Sequence, residues 1–323
     1  MIWLNKRIPR RADNAGDQSG RLRAAPTAHP QQEPVMPEIQ HFFDPQTWTL
    51  SYVVHDGSHG VVIDPVRNYD PKSGRTAWTS AQEVAAYIDA HRLTISHVID
   101  THAHADHMTG LPFFRERYGA RTVTGAGIGE IQRTFRGIYN LGDDFPVDGR
   151  QFDVLLDEGQ TLPAGSFEVQ ALHTPGHTPA HMSWKIADAV FVGDTLFMPD
   201  YGSARCDFPG GSAAQLYDSI QRLYALPDQT RLFMCHDYMP GGRPLAFETT
   251  VGEQKRANVQ INGRTTREEY VALRRDKDAT LPAPVLILPS LQVNIRAGEL
   301  PPPESNGTRY LKIPLDVLGQ PAA

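Results

Sequence analysis

The chain has 323 residues, 40% of them hydrophobic and 21% charged, enough to bury a large core in one large domain or two modest ones. Its formal net charge of -6 comes without a long basic run, which disfavours a nucleic-acid partner, because that needs clustered Lys and Arg to displace counterions. No apolar run approaches the roughly 18 residues of a membrane helix, and two cysteines, Cys206 and Cys235, are too few for a disulfide framework and fit a reducing, cytoplasmic compartment.

Residues 1–35 hold six basic residues against three acidic ones, with Pro, Gln and Ala between them and no apolar periodicity. This composition predicts a disordered N-terminal extension. An Arg-rich start also suits a transit peptide, but Pro9, Asp13 and Asp17 interrupt any amphipathic helix, and Met36 stands where translation could begin. The folded part is expected over 36–323.

From residue 38 the pattern is that of strands. Residues 48–55 and 60–64 are rich in β-branched and aromatic side chains, with Asp56-Gly57-Ser58 as the turn between them, and predict a hairpin. Ser80-Ala-Gln-Glu83 has the form of a capping box ahead of Val84, Ala85 and Ile88, so a helix is expected over 80–92. A buried strand, Ile95-Ser-His-Val-Ile-Asp100, follows, then a helix over 109–118 and a short strand over 120–124. Strands alternating with helices predict an α/β layered fold.

Directly after the strand that ends at Asp100 comes Thr101-His-Ala-His-Ala-Asp-His107. Its three histidines and one aspartate within six residues form a metal-ligand cluster by composition and spacing. Phe167-Glu-Val-Gln-Ala-Leu172 is a second strand pattern, running into His173-Thr-Pro-Gly-His177-Thr-Pro-Ala-His181, where Pro175 and Gly176 force a turn that presents His177. His173 and His181 read as structural histidines, or as partners of ligands. Ala189-Val-Phe-Val-Gly193 then ends in Asp194, and Arg231-Leu-Phe-Met-Cys-His236 ends in a histidine. A ligand-type residue thus closes four strands in succession.

Beyond the site, residues 213–226 place Leu216, Ile220, Leu223 and Tyr224 on one helical face. Thr265-Thr-Arg-Glu268 has the form of a second capping box, opening a helix to about residue 276. From Leu281 the chain is rich in proline, including Pro301-Pro-Pro303, and predicts an extended tail docked on an existing surface.

The ordered series HxHxDH, PGHT, GD and a final His, each at a strand end, resembles the metallo-β-lactamase superfamily from about Met36 to about residue 260. The resemblance implies a four-layered αββα sandwich with a metal site at one edge between two sheets. Gly193-Asp-Thr-Leu-Phe-Met-Pro-Asp-Tyr-Gly-Ser-Ala-Arg-Cys-Asp-Phe208 and His236-Asp-Tyr238 resemble the persulfide dioxygenase branch, including its β-lactamase-like hydrolase forms, more closely than the glyoxalase II thioesterases. Cys206 stands where that branch usually has Thr.

The persulfide dioxygenase resemblance implies one Fe(II) per chain on His102, His177 and Asp194, with His104, Asp106, His107 and His236 around it. Three protein ligands on one octahedral face leave three positions open. It also implies oxidation of glutathione persulfide by dioxygen, in sulfide detoxification, with Arg205 and Tyr238 on the substrate side. The thioesterase alternative makes the same residues ligands of two zincs: His102, His104 and His177 for one, Asp106, His107 and His236 for the other, and Asp194 between them. A third class, a metal-bearing regulatory protein without turnover, requires ligands to be lost, and none is missing. Arg205 next to Asp207 also has the reading of a structural ion pair, both cysteines that of small buried hydrophobes, and a homo-oligomer is left open.

Overall fold

Residues pair by face in the first hairpin: Val53 lies opposite Val62, while Tyr52 and Val54 lie opposite Ile63 and Val61. Val53 and Val62 belong to one buried cluster and Tyr52, Val54, Val61 and Ile63 to another. The sheet is therefore covered on both sides, which is why these strands read as nearly continuous apolar runs. The computed structural model describes residues 36–318, and the expected extension over 1–35 lies outside the described residues.

The first sheet has six strands in sequence order, Glu38–Asp44, Thr49–His55, His59–Ile63, Thr94–Ile99, Arg121–Gly125 and Val154–Leu156. Its hairpin strands are antiparallel and the rest add in parallel. The second sheet also runs in sequence order, through Thr161–Ala164, Phe167–His173, Met182–Ile186, Ala189–Phe191, Arg231–Phe233 and Glu248–Thr250. Between the sheets, Tyr52 packs edge-on against Phe191 with ring centres 5.0 Å apart, in a core that also holds Ile63, Val169 and Trp184.

The helices among the described residues are α1 (Thr79–His91), α2 (Leu111–Tyr118), α3 (Ile128–Ile138), α4 (Ala213–Tyr224), α5 (Val251–Ala257), α6 (Arg267–Asp278) and α7 (Ile287–Asn294). Ile88, Phe114, Ile131 and Leu291, from α1, α2, α3 and α7, join Val53, Val62 and Val98 of the first sheet. Leu216, Ile220, Val251 and Tyr270, from α4, α5 and α6, join the core of the second sheet. The result is the expected αββα sandwich of metallo-β-lactamase type. No described helix is long and apolar enough to cross a membrane.

Both expected capping boxes need correction. Ser80 lies inside α1, where its hydroxyl donates to Asp44 Oδ2 at 2.7 Å and its N–H donates to Asn68 Oδ1 at 2.9 Å, so it ties the helix to the first strand instead of capping it. The second box is displaced by one residue: Thr266 and Glu269 form it, opening α6. Three helices were not anticipated: α3, α5 and α7. Ile128, Ile131 and Phe135 carry the 3.6-residue period of α3. In the tail, α7 replaces the expected extended chain over Ile287–Asn294, because Pro289 falls in its first turn, where a missing N–H costs no hydrogen bond.

Candidate metal centre

The centre is built where strands of both sheets end. Asp64, just after the strand His59–Ile63, accepts from the N–H of Thr101 at 2.7 Å, from its hydroxyl at 3.0 Å, and from Nε2 of His104 at 3.0 Å. One carboxylate thereby shapes the loop that carries the first ligand cluster. Sequence reading passed over Asp64, although the strand ending in a carboxylate was the same signal that singled out Asp194.

The structure brings His102, His177 and Asp194 together, with one ligand atom of each within 4.8 Å of the others, and groups His104, Asp106 and His107 in the same way. His177 donates from Nδ1 to the carbonyl of Arg205 at 2.7 Å, which leaves Nε2 facing Asp194 Oδ2 at 3.6 Å. His236 donates from Nδ1 to the carbonyl of Trp48 at 3.2 Å. In a neutral ring its Nε2 carries only a lone pair, and it lies 3.1 Å from Asp106 Oδ2 and 3.3 Å from Asp194 Oδ1.

Lone pairs facing one another need a cation between them. His102 Nε2, His104 Nδ1, His107 Nε2, His236 Nε2 and Asp194 Oδ1 are all buried without a hydrogen-bond partner. Each orphan of this kind costs roughly 1–3 kcal/mol, and here five such atoms belong to the same residues that cluster as ligands. The donor set, imidazole nitrogens with carboxylate oxygens, suits a transition metal. These residues fit a metal cofactor.

The electrostatics agree. Burial and the neighbouring histidines hold His102 well below the usual imidazole value, and burial with His104 lowers His107, so both present the neutral form that binds metal. Burial alone would lower His104, but Asp64 beside Nε2 outweighs it and raises the group to about 9. A cation at Nδ1 competes with that proton. Burial also pushes Asp100 up to about 8, and its carboxyl accepts the Thr109 hydroxyl at 2.9 Å.

Among the other residues singled out, His181 and His173 make structural bonds: His181 accepts from Asp194 N–H, and Nε2 of His173 lies 2.9 Å from the carbonyl of Pro179. Both cysteine thiols are buried and pushed up by burial, as inert side chains would be, although Cys235 Sγ sits 3.5 Å from Asp64 Oδ2. Arg205 pairs with both oxygens of Asp207 at 2.6 Å, donates to the carbonyl of Pro282 at 2.7 Å and covers the ring of Phe208. Tyr238 is half-buried and stacked on His236 with ring centres 5.8 Å apart, next to Tyr201.

A family model described as the metallo-beta-lactamase superfamily matches residues 49–236, a span that includes every ligand-type residue from His102 to His236. The Beta-lactamase hydrolase-like protein of Agrobacterium fabrum is 49% identical over 289 residues, covering 89% of this chain and 67% of its own length. Glyoxylase B2 of Dictyostelium discoideum is 47% identical over 261 residues, covering 80% of this chain and 89% of its own. Among solved structures, ETHE1 from Myxococcus xanthus superposes with a TM-score of 0.64 at 31% identity, covering 81% of this chain and 100% of the other.

Proposed function

The chain belongs to the metallo-β-lactamase superfamily, and on that footing we propose that it is an iron-dependent persulfide dioxygenase. Glutathione persulfide, dioxygen and water would yield glutathione and sulfite. The observation that carries this reading is the convergence of His102, His177 and Asp194 on one point, two imidazoles and one carboxylate. Iron(II) held there would offer open positions for dioxygen and for the terminal sulfur, turning an encounter of two reactants into a reaction within one sphere.

The protein's own part is orientation. Thr101 sits 3.0 Å from Nδ1 of His102, the Arg205 carbonyl fixes His177, and His181 fixes Asp194. The likeness to ETHE1 over that chain's whole length supports the persulfide dioxygenase branch. Tyr238, stacked beside His236, is the proposed substrate contact. Arg205, with its guanidinium already held by Asp207, is proposed to act through the loop that orients His177.

A second reading, a two-zinc glyoxalase II-type thioesterase, is favoured by the unpaired nitrogens of His104, His107 and His236 around Asp106, which suit a second ion. The name of the Dictyostelium relative points the same way. Metal analysis with paired assays separates the two. About one iron per chain, with oxygen uptake and sulfite formation from glutathione persulfide, supports the dioxygenase. About two zincs with oxygen-independent hydrolysis of lactoylglutathione overturns it.

A further inference from the structure

We propose that Asn294, the last residue of α7, is a positioning residue that sets the metal-binding loop, so that α7 and the metal centre act as one unit. Its side-chain amide donates to the carbonyl of His104 at 2.8 Å and to the carbonyl of His107 at 2.8 Å. Its Oδ1 accepts from the N–H of Thr109 at 2.8 Å. Both amide hydrogens and the carbonyl oxygen are thus spent on one loop, from a residue 1% exposed and some 185 positions away in sequence.

The geometry gives these bonds their effect. His104 and His107 lie three residues apart and present Nδ1 and Nε2, respectively, as unpaired buried atoms. A peptide carbonyl held in place restricts ψ of its own residue and φ of the next, so holding both ends of this turn fixes the directions of the two imidazoles and of Asp106 between them. On the other side, α7 is itself held: Ile287, Leu291 and Ile295 are in the core, and Tyr139 and Gln132 donate to the carbonyls of Ile287 and Ile295. Asn294 is therefore a clip between a rigid helix and a loop that Asp64 also holds, through Thr101 and His104.

The inference rests on this loop binding a metal and not on which metal or which reaction. Its test uses zinc alone, titrated into metal-free protein against a chelating competitor, without turnover, so failure of the dioxygenase reading leaves it intact. Asn294→Ala removes all three bonds. Asn294→Asp keeps the size and the bond from Thr109 but turns acceptors toward two carbonyls. Both are expected to weaken zinc binding about 10- to 100-fold, the usual effect of losing a partner behind a ligand, and to shrink the rise in melting temperature that zinc produces.

Gln292→Ala is the control. Among the described residues Gln292 bonds only to Leu288 and Lys312 through its side chain, away from the loop, and its loss should lower the melting temperature with and without zinc alike while leaving zinc affinity in place. Zinc affinity within about twofold of the unsubstituted protein in Asn294→Asp, well below the usual effect, overturns the proposal. If the substituted chains do not fold, hydrogen exchange on the unsubstituted protein decides. Zinc should protect 287–296 together with 101–110, and protection confined to 101–110 overturns the proposal.

Discussion

The main-chain N–H of Asp194 donates to Nε2 of His181 at 2.9 Å. His181 therefore carries its proton on Nδ1, which lies 3.0 Å from the hydroxyl of Thr174, and both ring nitrogens are occupied. Burial holds its pKa well below the usual imidazole value, so it stays neutral as an acceptor. It anchors Asp194, a candidate ligand, and has no ring nitrogen left for a metal. His181→Ala should weaken metal binding about 10- to 100-fold, while His181→Gln, whose carbonyl can still accept from Asp194, should recover part of it. Chelator competition measures both, and equal loss in the two variants would remove the hydrogen bond as the cause.

Gly193 leaves the room that this bond needs. Its φ is +50°, and a Cβ there would stand 2.5 Å from His181 Nε2 and 2.8 Å from Thr101 Cβ. Gly193→Ala should cost roughly 1–3 kcal/mol from the left-handed backbone conformation and should reduce metal content as well. Urea unfolding of the metal-free chain reads the first effect. Metal analysis reads the second.

The ligand series separates the two proposed chemistries. With one iron on His102, His177 and Asp194, both His177→Ala and Asp194→Ala should lose metal and turnover together, whereas Asp106→Ala should keep most of its metal. Asp106 nevertheless lies 3.1 Å from His236 Nε2 and next to His107, so a second ion would depend on it. Equal metal loss in all three variants would support the two-metal thioesterase.

The ligand loops were legible in the sequence because strand-end clusters of His and Asp are local patterns, and so was the hairpin, whose period and turn are local too. Of the residues behind the ligands, His181 was legible as a ligand's partner and Asp64 carried the strand-end signal of Asp194, but the contacts that they and Asn294 make, at separations of 13, 40 and 190 residues, are set by the fold and not by sequence neighbours. Ser80 failed as a cap for the same reason: Asp44 and Asn68, far off in sequence, compete for its hydroxyl and its N–H. α7 was hidden by composition, since prolines signal extended chain unless the one inside falls in a first turn.

His97, on the strand Thr94–Ile99, provides a pH test outside the metal centre. Burial, with Arg121 adding like charge, lowers it to about 4 from an ordinary 6.5. Between these values the unfolded chain takes up the proton more readily than the folded one, so stability rises with pH through the window and is lost as pH falls from 6.5 toward 4. His97→Gln should flatten this part of the stability profile. Urea unfolding at several pH values checks it, and an unchanged slope would assign the acid sensitivity to other groups.

Arg205 bears on the centre through its main chain, and a contact of its side chain with substrate would predict different kinetics. Its carbonyl accepts from His177 Nδ1 at 2.7 Å, and its guanidinium is engaged by Asp207 and Pro282. Phe208, under the guanidinium, meets the His177 ring edge-on with centres 5.2 Å apart. Removing the side chain frees the segment that aims His177, so Arg205→Ala should lower metal affinity and turnover while the metal-loaded fraction keeps its KM for glutathione persulfide. Asp207→Asn should do the same to a lesser degree, because it weakens the hold on the same loop. Full metal loading with a raised KM would instead place the guanidinium on the substrate, and then Asp207→Asn, by freeing the arginine, should lower KM.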